Sequence, residues 1–212
     1  QALMLTSAII TCTLTTRLKD HAKMSAQAAF RTKVLFDTNQ LLQKAKSEEE
    51  IFSLTASQLM KLLNRSLIVY LEQNGGLGAE QVFGVDGETA QNIFSAPEER
   101  DAANWTFANK KRSGAGTDSY PDAKGLYLAL RTGGGVFGVI GIDLSEKPLD
   151  AFENSVLLSI LGEGALAIEN RRNALEKEQA TVQAKNEELR ANLLRTISHD
   201  LSLIHISEPT RH

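Results

Sequence analysis

Apolar positions fall along this chain in blocks of different period, and each block predicts an element. Over residues 23–42, Ala26, Phe30, Val34, Phe36 and Leu41 predict a helix that enters a domain. Ser47-Glu48-Glu49-Glu50 is a capping-box signature, a hydroxyl followed three residues later by a carboxylate. It opens a second helix with Ile51, Leu54, Leu59, Leu62 and Leu63. The continuous apolar run at 66–71 reads as a buried strand, residues 74–78 as a turn, and 81–85 as a weaker strand. Ser95-Ala96-Pro97-Glu98 caps another helix, with Pro97 acceptable in a first turn whose N–H groups have no helical partner. Trp105 and Phe107 lie near its end, and a polar loop follows over 110–121. Two strands at 125–131 and 136–144 flank Thr132-Gly133-Gly134-Gly135, a hairpin signal.

The last block is the longest. Residues 149–201 contain no proline, and their only glycines are Gly162 and Gly164. Leu161, Ile168, Leu175, Val182 and Leu189 recur at a seven-residue step, the mark of a coiled-coil seam. The companion positions are mostly polar (Glu178 or Gln179, Lys185 or Asn186), so the seam is thin. The order of blocks implies an α+β domain with a central antiparallel sheet, its N- and C-terminal helices packed together on one face.

Composition narrows the function classes. A net charge of -3 and a pI near 5.9 give no domain-wide basic field, which argues against direct nucleic-acid binding. One cysteine, Cys12, excludes an internal disulfide and a cysteine-cluster metal site. Residues 1–16 have no charge, and Arg17, Lys19, Lys23, Arg31 and Lys33 follow. A spanning helix needs about 20 apolar residues, so the run is short. It reads either as the start of a soluble helix or as the distal half of a transmembrane helix with a cytoplasmic exit. It is not a signal peptide, because the positive residues come after the apolar run.

Several motifs do not hold up. Gly133, Gly135 and Gly138 satisfy G-x-G-x-x-G, but a dinucleotide fingerprint requires a helix next and here a strand follows. There is no P-loop and no His-Glu-x-x-His. Lys110-Lys111-Arg112 beside a glycine loop has the charge to bind an anion, although a solvated loop is the simpler reading.

Three stretches carry a wider resemblance. They are Thr16-Arg17-Leu18-Lys19; then Trp105-Thr106-Phe107 with the loop from Gly114 to Pro121 and Leu126-Tyr127-Leu128; and Asn192-Leu193-Leu194-Arg195-Thr196-Ile197-Ser198-His199-Asp200-Leu201. Together they resemble the KdpD family of membrane-bound sensor histidine kinases, which serve potassium supply and osmosensing. The resemblance implies the end of a transmembrane helix at 1–17, a connecting helix at 18–46 and a GAF-like sensory domain at 47–168. A coiled-coil signalling helix at 169–191 and the start of a dimerisation and phosphoacceptor domain at 192–201 follow. The family continues His-Asp-Leu-Arg-Thr-Pro-Leu, whereas Ser202-Leu203-Ile204 stands here. Residues 202–212 therefore read as a non-native tail.

The resemblance also assigns roles. His199 becomes the phosphoacceptor, available as a neutral imidazole near pH 7, and Asp200 the base that orients it. Taken without the resemblance, His199 and Asp200 are an incidental surface pair. ATP and Mg belong to a kinase domain outside this stretch, so the stretch is expected to be inactive alone, with no cofactor or metal of its own. Implied partners are a second copy, a KdpE-like response regulator and the bacterial inner membrane, with the GAF domain and His199 on the cytoplasmic side. GAF domains often bind small ligands, and Arg112, Thr117, Asp118 and Tyr120 are the candidate contacts. The sheet domain lacks cysteine, which excludes a thioether-linked bilin. The cyclic-nucleotide pattern is only partly met: Asn109-Lys110 fits, but Phe152 is followed by Glu153-Asn154-Ser155. The alternative function is a stand-alone GAF regulatory protein whose helix drives dimerisation.

Overall fold

A computed structural model describes the backbone at 2–84 and 87–206, and side chains at 15, 17–19, 21–84 and 90–197. The chain divides into two units, Gln1–Glu169 and Asn170–His212. Its elements are α1 (Ala2–Leu42), α2 (Glu48–Leu63), β1 (Leu67–Gln73), β2 (Gly76–Phe83), α3 (Gly87–Phe94) and α4 (Pro97–Asn109), then β3 (Ser113–Gly114), β4 (Gly125–Arg131), β5 (Val136–Asp143) and α5 (Ala151–Ile206). The strands form one sheet in the order β2-β1-β5-β4-β3, and each neighbouring pair is antiparallel.

Alternation along β1 explains why both faces of the sheet are covered. Leu67, Val69 and Leu71 point into one core, with Phe52 and Leu59 of α2 and Leu157, Ile160 and Ile168 of α5. Ile68 and Tyr70 point into a second core, with Phe94 of α3, Ala102 and Ala103 of α4, and Tyr127 of β4. The expected packing of the terminal helices on one face holds, and α3 and α4 form the other layer. Two glycines of β5 make room for rings from opposite sides. A β-carbon on Gly138 would strike the Phe52 ring, and one on Gly141 would strike Tyr127 and Ile68.

Two helix starts are capped as their residues dictate, whereas α4 starts at Ala96 with no side-chain cap, because Ser95 Oγ donates back to Asn92 O at 3.0 Å. Ser47 Oγ accepts from Glu50 N at 3.2 Å, and the Glu50 carboxylate accepts from Lys46 N at 2.6 Å. Asp150 and Glu153 make the reciprocal pair at the head of α5, at 2.7 and 3.0 Å. The buried Arg65 guanidinium donates to the carbonyls of Asp143, Lys147 and Pro148, which fixes the β5–α5 connection. α1 meets α5 through Asn39 donating to Glu163 at 3.0 Å and through the tilted rings of Phe30 and Phe152.

The structure differs from the sequence expectation in three other places. β2 begins at Gly76, because Asn74 and Gly75 are both left-handed, at φ 53 and 81, and close a two-residue turn. α3 and β3 have no counterpart in the sequence pattern: α3 has 8 residues, too few for a clear period, and β3 has only 2, defined by pairing with Tyr127 and Leu126. Finally, Leu161 and Ile168 are 5% and 0% exposed inside the domain core, so the outward seam begins only at Leu175. The side chains of the uncharged N-terminal run lie mostly outside the described residues, as does Val85. Among the described residues, the one helix apolar and long enough to cross a membrane is α5. Its apolar residues Val156, Leu157, Ile160, Leu161 and Ala165 are core residues of the domain.

One buried carboxylate joins the second layer to the sheet. Glu99 of α4, 2% exposed, accepts from Lys124 N at 2.7 Å, Gly125 N at 3.1 Å and Tyr127 Oη at 2.7 Å. Burial, and then the bond to Glu99, push the Tyr127 phenol far above its ordinary range. Tyr70 is pushed up to about 12, mainly by burial, and its hydroxyl has no hydrogen-bond partner.

Two predictions follow from this core. Glu99→Ala strands two buried donors, Gly125 N and Tyr127 Oη, and one part-buried donor, Lys124 N, so urea unfolding should show a loss of about 3 kcal/mol, against about 1 kcal/mol for Tyr127→Phe. Tyr70→Phe removes a hydroxyl that bonds to nothing and should be near neutral at pH 7. Above the ordinary tyrosine value of 10.0 the unfolded chain loses a proton that folded Tyr70 keeps up to about 12. This contribution is complete below 10.0 and declines as pH rises through that window, so Tyr70→Phe should lose less stability than wild type between them.

Candidate functional site

The end of α4 and the loop after β3 border an open cleft of about 720 Å³, lined by Trp105, Lys111, Arg112, Gly116, Thr117, Asp118 and Ser119. Lys110 ends α4 in a left-handed conformation, φ 59, and its N–H donates to Thr106 O at 2.8 Å. This reversal carries Lys111 and Arg112 back toward the sheet. Ser113 then anchors the chain: its Oγ donates to Ala102 O at 2.8 Å, which uses its only proton. Thr106 Oγ1 must therefore be the donor in the 2.7 Å contact with Ser113 Oγ.

The opposite wall is a closed loop. Gly114 N donates to Ser119 O at 2.7 Å, Thr117 N to Gly114 O at 3.0 Å and Ala115 N to Gly125 O at 2.9 Å. Thr117 Oγ1 lies 2.8 Å from both Gly114 O and Ser119 O, so its proton is committed within the loop. Gly114 has φ 92, and a β-carbon there would strike the Gly125 carbonyl oxygen, so no other residue fits. Glu99 holds Lys124 and Gly125, and this loop closes on the second of them through Ala115 N.

Three of the four ligand candidates, Arg112, Thr117 and Asp118, meet at this cleft. Tyr120 does not line it; Tyr120 is left-handed at φ 60 and its carbonyl accepts from Ala123 N at 3.1 Å. Thr117 shapes the wall, since its hydroxyl proton is already used. Lys111, read in the sequence as part of a basic stretch able to bind an anion, also lines the cleft, and Trp105 and Ser119 join it with no sequence signal for a contact. Lys111, Arg112 and Asp118 enter none of the ion pairs found among the described residues. No group of three or more potential metal ligands occurs among those residues either.

In the second unit, the backbone of α5 is helical through His199 and Asp200, whose side chains lie outside the described residues. Upstream, Leu175, Val182 and Leu189 are 39%, 54% and 55% exposed. Leu175 and Val182 border a shallow groove of about 510 Å³ with Glu178, Gln179, Gln183 and Asn186. Where the domain ends, Thr132 Oγ1 of the β4–β5 hairpin donates to Glu169 Oε1 at 2.8 Å and accepts from Gly134 N at 3.1 Å.

No family model matches the chain. It is 33% identical over 200 residues to sensor protein KdpD of Clostridium acetobutylicum, covering 94% of this chain and 22% of that protein. It is 26% identical over 203 residues to sensor protein KdpD of Escherichia coli, again covering 94% of this chain and 22% of that protein. The crystal structure of a GAF domain from Pseudomonas syringae pv. tomato superposes with a TM-score of 0.51 at 19% identity, covering 75% of this chain and 97% of that one, which establishes the fold. The chain spans about a fifth of the length of the curated relatives it matches, 22% in both cases. With its GAF-like α+β fold and long C-terminal helix, the chain is a homologue of the GAF region of the KdpD sensor proteins.

Proposed function

We propose that this chain is the sensory and dimerisation region of a sensor histidine kinase that regulates potassium uptake. The observation that carries this reading is the extent of the similarity: 200 aligned residues cover the GAF domain and much of the helix beyond it. In this reading the uncharged run before Arg17 is the end of a membrane helix, and the GAF domain and His199 lie on the cytoplasmic side of the inner membrane. Two copies pair through Leu175, Val182 and Leu189, whose exposure along one seven-residue step favours a partner helix. The contact between Thr132 and Glu169 lies where the helix leaves the domain, so a change in the sheet has a direct route to it.

The chemistry assigned to His199 is phosphoryl transfer, in which positioning and charge stabilisation do most of the work. A neutral imidazole nitrogen of His199 attacks the γ-phosphorus of ATP held by a separate domain with Mg. The bond to the bridging oxygen of ADP breaks, and the ring proton passes to the Asp200 carboxylate. The phosphoryl group then passes to a response regulator.

The dimer reading predicts that Val182→Asp with Leu189→Asp buries charge in the seam and converts dimer to monomer by light scattering. An unchanged dimer would place the contact elsewhere. The phosphotransfer reading predicts that the chain alone stays unlabelled by radioactive ATP. Joined after Leu201 to the downstream region of a KdpD sensor protein, it should take up acid-labile phosphate. His199→Gln should abolish that uptake, and Asp200→Asn should slow it by about 10²–10⁴-fold. Wild-type labelling of the His199→Gln protein overturns the assignment.

A further inference from the structure

The cleft beside α4 is independent of the phosphotransfer reading and has chemistry of its own. We propose that it binds a phosphate ester on a hydroxylated ring, of the size of a sugar monophosphate or nucleoside monophosphate. Its volume, about 720 Å³, lies within the range of small-molecule sites. Lys111 and Arg112 are adjacent, face the cleft and pair with no carboxylate among the described residues. Two cations match the charge of a phosphate monoester, and the planar guanidinium suits its oxygens in a forked, two-bond contact.

Asp118 gives the site its selectivity. A carboxylate only accepts hydrogen bonds, so it repels a second anionic group and favours hydroxyl donors next to the phosphate. A bare phosphate has nothing to offer it; a ribose or hexose ring does. Trp105 is half-buried at the same cleft and supplies an apolar wall for the body of the ligand.

The frame is built before any ligand arrives. Gly114, Ala115 and Thr117 donate backbone hydrogen bonds that close the Asp118 wall. On the other wall, Arg112 sits between left-handed Lys110 and fully buried Ser113, whose hydroxyl is tied to α4. A polar loop that served only as a solvated connection would need none of this closure. Pre-ordering of this kind reduces the entropy lost on binding.

The test is isothermal titration of the intact chain with ribose 5-phosphate, AMP, inorganic phosphate and malonate, read alongside Trp105 fluorescence. Ribose 5-phosphate and AMP should bind and change the fluorescence, each at least tenfold more tightly than inorganic phosphate or malonate. Arg112→Ala and Lys111→Ala should each weaken ribose 5-phosphate at least tenfold with the melting temperature unchanged, because both side chains are exposed. Asp118→Asn should narrow the preference for ribose 5-phosphate over inorganic phosphate. AMP binding more tightly than ribose 5-phosphate supports contact of the ring with Trp105. Absence of binding by both esters up to about 10 mM, weaker than any affinity worth about 3 kcal/mol, overturns the proposal. So does binding that Arg112→Ala and Lys111→Ala leave intact, or malonate binding as well as the esters.

Discussion

The Glu99 carboxylate is the constraint on which the second layer of the domain depends. It is buried with both oxygens in use, on two backbone N–H groups and the Tyr127 hydroxyl. Burying such a group is costly unless it is hydrogen-bonded, and here the bonds come from the very residues that begin β4. That fixes α4 against the sheet. From the fixed α4 follow the Lys110 reversal, the Ser113 anchor and the loop closed on Gly125, and with them both walls of the cleft.

The sheet imposes a second constraint. Its middle strands are apolar on both faces, so a single helical layer would have left Ile68, Tyr70 and Val139 in water. α3 and α4 are present to prevent this. The fit is tight enough that β5 uses glycine where the Phe52 and Tyr127 rings cross it. β4 runs between two places of interest. It begins at Gly125, bonded to Glu99 and to the cleft loop, and it leads into Thr132, bonded to Glu169. The cleft loop and the contact with Glu169 thus sit at opposite ends of one strand.

α5 has two environments under one sequence pattern. Leu161 and Ile168 close the core of the domain, whereas Leu175, Val182 and Leu189 continue the same step with their sides in solvent. A seven-residue repeat states which face of a helix is apolar. It does not state what covers that face, and the surroundings change along α5 from the domain core to solvent.

The chain's local features were legible in the sequence. The Ser47 cap, the Pro97 start, the glycine hairpin and the unbroken final helix each depend on residues a few positions apart, and the structure has all four. The motifs from Trp105 to Leu128 and around His199 identified the relatives correctly, because a family resemblance is itself a property of order along the chain. Tertiary structure alone decided the rest. β3 exists only because β4 lies beside it, and a two-residue strand leaves no period to read. Nothing in the first turn of α4 distinguishes Glu99 from Glu98 beside it; Tyr127, 28 positions away, does so by resting on it. Arg112, Asp118 and Trp105 became one site, and Tyr120 was left out, because the reversal at Lys110 and the left-handed glycine at 114 set where the loop turns. Contacts between residues far apart in sequence depend on how the whole chain is packed, and no local pattern records them.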